Sequence, residues 1–343
     1  MLAGTRMIGQ AAEPLVGRAA ELEVLDRLMW TLIRARARAR CSTTVRAMTF
    51  TPLQCGSRAR KCFRSRAEWR SIGAMSERDT YPAGVPCWVE TLQPDTQAAV
   101  RFYGPLFGWQ LVGSDEPGDD PFEYLVARLR GHDVAGVGSL PDGLAPAWIT
   151  HVRVDSADAA AERAQAAGGT VVDGPFDAPP AGRLAVLADP TGALFCAWQA
   201  GIREGAELIN EPSAWAMSAL QTSDPERAAA FYGAVFGWRT EPFGPVELLR
   251  LPGYVGGTEE QPVPRDVVAV LAPLAGADAR SRWDVDFWVG DTDTTAGHAV
   301  ELGGRLIAPP HDVPGFRHAV IADPQGATFS ISQLVGVPDG DGS

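Results

Sequence analysis

Over residues 86–92 apolar and polar side chains alternate, the period of a half-buried strand. After Asp95 the spacing lengthens. Ala99, Phe102, Tyr103 and Leu106 fall on one helical face, Asp95 is of a type that caps a helix N-terminus, and Gly108 ends the run. Strand-like stretches follow at 109–112, 122–129 and 133–138. The scheme then restarts, with a strand at 148–154, a helix at 157–167 stopped by Gly168-Gly169, and strands at 170–172, 183–188 and 193–199. Asp189-Pro190-Thr191-Gly192 has the chemistry of a tight turn between the last two, Pro fixing one dihedral and Gly supplying a positive one.

The same pattern occurs twice. Phe102-Tyr103-Gly104-Pro105-Leu106-Phe107-Gly108-Trp109 returns 129 positions later as Phe231-Tyr232-Gly233-Ala234-Val235-Phe236-Gly237-Trp238. Asp323-Pro324-Gln325-Gly326 repeats the Asp189 turn. A repeat of this length means two homologous domains, at 85–200 and 213–335, joined by a polar linker at 201–212 and followed by a tail at 336–343. The expected fold class is α+β, with each domain built of two strand-helix-strand-strand-strand modules.

Charge separates this body from what precedes it. Residues 1–74 hold thirteen Arg and one Lys against five acidic side chains, and the remaining residues hold 16 basic against 37 acidic ones. So acidic a body repels phosphate backbones, which excludes nucleic acid as its partner. No apolar run reaches the roughly 20 residues that cross a bilayer, so no membrane role is expected. The basic segment 1–74 is expected to be disordered, or translated from upstream of a start at Met75. Cys87 and Cys196 are the only cysteines of the body, no disulfide framework, and they fit a reducing cytoplasm. Nucleophile-elbow, zinc-helix and dinucleotide-binding motifs are absent from the sequence.

The repeated F-Y-x-x-x-F-G-W helix end and the D-P-x-G turn resemble those of the vicinal oxygen chelate superfamily, which contains glyoxalase I, extradiol dioxygenases and bleomycin-resistance proteins. The resemblance implies that the paired modules form a cupped mixed sheet around a pocket. It also implies that, in the metal enzymes, ligands come from the first, fourth, fifth and eighth strands.

Strand parity decides which side chains face such a cup. Trp283, Val285, Phe287 and Val289 form an apolar core set, so Asp284, Asp286 and Trp288 face the cup, and in register with them so do Ile149, His151 and Arg153. The family's ligand positions fall on Trp88, His151 and Cys196 in domain one, with Glu90 and Trp198 sharing those faces, and on Met217, Asp286 and Ser330 in domain two. The fourth strand offers no ligating side chain. Three protein ligands are what such a metal needs, and a Trp at the first position occupies the ion's space, so no cofactor is expected. The alternative is a divalent metal in domain one held by His151, Cys196 and Glu90, serving a lyase or dioxygenase.

The expected ligand-binding residues are therefore Trp88, Glu90, His151, Arg153, Cys196 and Trp198, with Met217, Asp286, Trp288 and Ser330 in domain two. The expected partner is a small organic ligand, planar or aromatic, and the expected assembly a monomer or homodimer. A non-catalytic module with both cups filled by side chains is the third reading.

Overall fold

Four helices start where a short polar side chain can take up a free backbone N–H. Asp95, Ser156, Asp224 and Asp291 each accept from the amide three residues on, at 2.9, 3.2, 3.1 and 2.7 Å. Replacing such a cap with Ala costs about 1 kcal/mol. The caps open α1 (Thr96–Phe107), α2 (Ala157–Ala166), α3 (Pro225–Phe236) and α4 (Thr292–Glu301). Gly108 and Gly237 close α1 and α3 in the left-handed conformation, φ 69° and 77°, where a side chain would be strained.

The computed structural model describes residues 77–113, 123–140, 144–256, 263–274 and 280–335. The expectations for 1–74 and for the tail lie outside these. Domain one forms one sheet of β1 (Pro86–Gln93), β2 (Gln110–Val112), β3 (Tyr124–Leu129), β4 (His132–Ser139), β5 (Ala147–Arg153), β6 (Thr170–Ala178), β7 (Gly182–Ala188) and β8 (Leu194–Ala200). Their order is β2-β3-β4-β1-β5-β8-β7-β6. Domain two repeats that order with β9 (Trp215–Thr222), β10 (Arg239–Phe243), β11 (Val246–Arg250), β12 (Val267–Pro273), β13 (Arg282–Trp288), β14 (Arg305–Val313), β15 (Phe316–Ala322) and β16 (Thr328–Leu334). Within each sheet two pairings are parallel, β1 with β4 and β5 with β8 in domain one, and the others are antiparallel. The fold is therefore α+β, with two tandem domains of paired modules. Among the described residues no helix is long and apolar enough to cross a membrane.

β6 runs well past the expected 170–172. At Asp173, Gly174 and Pro175 the ladder with β7 shifts register, between Val171 and Asp173 and between Asp173 and Phe176, and the strand continues beyond them.

The core is common to both domains. Phe102, Tyr103 and Phe107 of α1 pack on Phe329 of β16, with ring centroids 5.7 to 6.2 Å apart, and Phe107 lies 5.0 Å from Phe287 of β13. In return, Phe231, Tyr232 and Phe236 of α3 surround Phe195 of β8 at 5.5 to 6.1 Å. Each domain's first helix thus fills the other domain's second module, and edge-to-face pairs of this kind add about 0.5–1.5 kcal/mol each beyond their area. Thr150 and Ser218 meet at 2.8 Å, fully buried, where the two sheets face each other. The outer faces of the sheets are left for the cups.

Candidate functional site

In domain one, β1 presents Trp88 and Glu90, β5 presents His151, and β8 presents Cys196 and Trp198, all on the face away from the common core. The ladders bring them together, because Trp88 is opposite His151, and His151 is opposite Cys196. A cavity of about 40 Å³ opens over this floor, lined by Trp88, Glu90, His151 and Trp198 together with Tyr124, Leu184 and Arg203. Cys196 lies beneath the floor, 2% exposed.

One hydrogen-bond chain orders the polar groups. Trp88 Nε1 donates to the Tyr124 hydroxyl at 3.1 Å, and Tyr124 donates to Glu90 Oε2 at 2.8 Å. The other carboxylate oxygen, Oε1, lies 3.3 Å from His151 Nε2, with side-chain exposures of 4% for the histidine and 3% for the glutamate. That contact is an ion pair without hydrogen-bond alignment, and neither ring nitrogen of His151 makes a directed hydrogen bond to protein. Burial pulls the imidazole toward the neutral form, but the Cys196 sulfur on one side and the Glu90 carboxylate on the other overcome it and push it up to about 10. Both neighbours favour the protonated imidazole.

The sequence had no signal for two members of this site. Tyr124 sits on β3, in a stretch legible only as strand. Gly136 of β4 makes room for it, since a Cβ there would stand 2.1 Å from the Tyr124 hydroxyl and 3.0 Å from the Glu90 Cβ. Arg203 belongs to the segment expected to be a plain connection, yet that segment roofs the cup. Its guanidinium stacks over the Trp88 ring at 5.2 Å and donates to Asp133 Oδ2 at 2.9 Å. The Trp198 indole donates to Arg203 O at 2.9 Å, and Ala206 N donates to Cys87 O at 2.8 Å, fixing the roof at both ends. Outside the roof lies a basin of about 550 Å³, which shares Ala181, Arg203 and Gly205 with the inner cavity.

Arg153, expected as the cup's cation, turns to the rim instead. It donates to Val154 O, and its Nε lies 3.6 Å from Glu204 Oε2. The cation over the cup is Arg203, and a cation on a linker carries no strand parity that could place it.

In domain two, Met217 and Asp286 are register partners, as are Asp286 and Ser330, and Trp288 pairs with Ser332. Ser330 and Ser332 both donate to Asp286 Oδ1, at 2.6 and 2.8 Å. Burial still pushes this carboxyl up to about 6. His318 lies 4.0 Å away and is held neutral, its imidazole pushed down to about 4 by burial and by neighbouring His311. Met217, Asp286, Trp288 and Ser330 are all partly exposed, so this face is more open than that of domain one.

Neither site presents the ligand set that the resemblance implies for the metal enzymes. In domain one Trp88 occupies the first ligand position, and Gly136, with no side chain, faces the cup from the fourth strand. Domain two offers Met217, Asp286 and Ser330. Among the described residues no three His, Cys, Asp or Glu side chains converge on a point where one ion could sit.

Comparison with known proteins agrees with the two-domain organisation. The glyoxalase-like domain family matches twice, over residues 88–198 and 217–332. A Mycobacterium tuberculosis protein named "Putative glyoxylase CFP32" is 36% identical over 271 residues, 75% of this chain and 97% of its own length. The anthracycline biosynthesis protein DnrV of Streptomyces peucetius is 34% identical over 268 residues, 74% of this chain and 94% of its own. Among solved structures, the Mn(II)-bound glyoxalase of Novosphingobium aromaticivorans superposes with a TM-score of 0.52 at 17% identity, over 74% of this chain and 84% of that one. The 2,3-dioxygenase LapB of Pseudomonas sp. KL28 gives 0.51 at 13% identity, over 76% and 96%. At such identities the structures bear on the fold alone.

Proposed function

The chain belongs to the glyoxalase-like domain family, and from that premise we propose that it is a metal-independent small-molecule-binding protein whose working site is the cup of domain one. The observation that carries this reading is the buried Glu90–His151 pair on the floor of a cavity walled by two indoles. A charge pair is expensive to bury, and one placed at a cavity instead of inside packed core has a use there.

The chemistry of the walls defines the ligand. The Trp88 and Trp198 rings offer flat apolar surface, and the protonated His151 donates to an oxygen acceptor. Glu90 keeps that proton on the ring, and Tyr124 keeps Glu90 in place. The inner cavity holds about three waters by volume, so it takes the polar end of a planar ligand, and the outer basin takes the remainder once Arg203 swings aside. The name of DnrV, an anthracycline biosynthesis protein, supports a planar oxygen-rich class. Two free thiols support a reducing cytoplasm. The assembly is a monomer or homodimer.

Elemental analysis of the purified protein, paired with a thermal-shift screen of small aromatics and carbonyl compounds, tests this. The expected result is no stoichiometric divalent metal and a stabilising ligand whose effect disappears in His151→Ala. One equivalent of metal, lost in that same variant, would overturn the reading in favour of a metal-dependent lyase or dioxygenase.

A further inference from the structure

We propose that the Arg203 side chain is the gate of the domain-one cup: its guanidinium occupies the Trp88 face, and a flat ligand enters only by taking that place. Such a gate presupposes that the cup is a ligand site, and it decides which ligand shape gains entry.

The closed cup is too small for the ligand its walls suit. Its cavity of about 40 Å³ is well short of the roughly 150 Å³ of a cavity that takes a benzene molecule. Trp88 is 4% exposed, and the guanidinium, 5.2 Å from its ring centroid, covers the face on which a ligand ring would stack. The basin of about 550 Å³ lies beyond that guanidinium, and Ala181, Arg203 and Gly205 line both spaces. Of these three, Arg203 alone has a side chain that can rotate out of the way.

The opening is a side-chain rotation, because the backbone around it is pinned. Gly201 N and Arg203 N both donate to Ala181 O, at 2.8 and 3.2 Å, Ala206 N donates to Cys87 O at 2.8 Å, and Glu207 N donates to Asp133 O at 2.7 Å. The Trp198 indole holds Arg203 O. Among the described residues the guanidinium has one ion-pair partner, Asp133 Oδ2 at 2.9 Å. When it leaves, Asp133 keeps Arg128, whose Nε donates to Oδ1 at 2.8 Å, so no carboxylate is orphaned. The withdrawn cation meets a basin wall that carries Glu77, Glu204 and Glu207. The side chain thus has two arrangements, each with a carboxylate at hand, and a ligand biases them by what it offers Trp88. A planar ring replaces the guanidinium on the indole, and a puckered aliphatic ring does not.

The test is the binding of 2-naphthol, a planar probe with one hydroxyl, to the full-length protein by isothermal titration and stopped-flow tryptophan fluorescence, beside its saturated analogue decahydro-2-naphthol. A face open one time in ten binds about tenfold more weakly than one always open. Arg203→Ala is therefore expected to bind 2-naphthol at least about tenfold more tightly, through faster association, with a smaller gain for the saturated analogue. Arg203→Lys keeps the charge and gives up the flat stack, so it should show an intermediate gain, and it decides the matter if the alanine variant does not fold. A damaged fold does not raise affinity, so a merely structural role for Arg203 would not imitate this result. Binding to the wild type that is unchanged or weakened in the folded variants would make the side chain a wall of the site and overturn the gate, while the binding reading stands. An equal gain for the saturated analogue would overturn the selection by shape. No binding to the wild type or to either variant overturns the binding reading, and the gate with it.

Discussion

The Tyr103 hydroxyl donates to Asp323 Oδ2 across the domain boundary at 2.9 Å, and Tyr232 makes the reverse contact with Asp189 Oδ2 at 3.2 Å. Each hydroxyl also accepts from an indole, Trp148 on Tyr103 at 3.1 Å and Trp283 on Tyr232 at 2.9 Å. The repeated Tyr and the repeated turn Asp are thus two halves of one device that fastens each domain to the other.

Tyr103→Phe leaves the buried Trp148 indole without its acceptor and removes one of two donors from Asp323 Oδ2, which keeps Gln93 Nε2 at 2.8 Å. The expected loss is about 1.5–3 kcal/mol, the usual value for a hydrogen bond to a charged group. Urea denaturation of Tyr103→Phe, of Tyr232→Phe and of the pair checks it, with losses close to additive because the two sites share no partner. Stability unchanged in both single variants would mean that the contacts are not formed.

Gly136 is the position where the Tyr124 hydroxyl needs empty space. Gly136→Ala forces the tyrosine off Glu90, and overpacking of this kind costs about 1–3 kcal/mol. Ligand binding in the cup should weaken with it, and Tyr124→Phe, which keeps the ring but drops the hydroxyl, should weaken binding while leaving the fold intact. Unaltered ligand affinity in both variants would separate Tyr124 from the site.

The fold and half the site were legible for one reason: period-2 alternation fixes which face a side chain takes once a single strand is oriented. The all-apolar set Trp283, Val285 and Phe287 oriented β13 and homology carried that to β5 and His151, while the ligand positions that the family resemblance implies gave Trp88 and Cys196, with Glu90 and Trp198 on the same faces by parity. What parity cannot give is reach along the backbone normal to the strands. Arg203 lies in a linker without period, and Gly136 matters through the side chain it lacks. Arg153 has the right parity but sits at the last residue of β5, where Glu204 and the rim draw it away from the cup. That the two domains interleave their helices was likewise hidden, because an apolar helix face does not say whose sheet it covers.

The His151 imidazole, at about 10 in the folded protein against 6.5 for the free side chain, makes stability fall with rising pH. Between those two values the folded chain binds a proton that the unfolded chain has released, so the contribution is complete below about pH 6.5 and is lost as pH rises toward about 10. Denaturant midpoints measured from about pH 6 to about pH 10 should decline in the wild type and decline less in His151→Gln. Parallel curves would show that the imidazole is not held as a cation.

Isothermal titration of chelator-treated protein with the best ligand from the thermal-shift screen tests the central claim most directly. The expected result is one site per chain, an affinity indifferent to added divalent metal, a loss of at least about tenfold in His151→Ala, about 1.4 kcal/mol, and little change in Asp286→Ala. Binding that appears only when metal is restored, or that survives His151→Ala and disappears in Asp286→Ala, would contradict a metal-independent site in the domain-one cup.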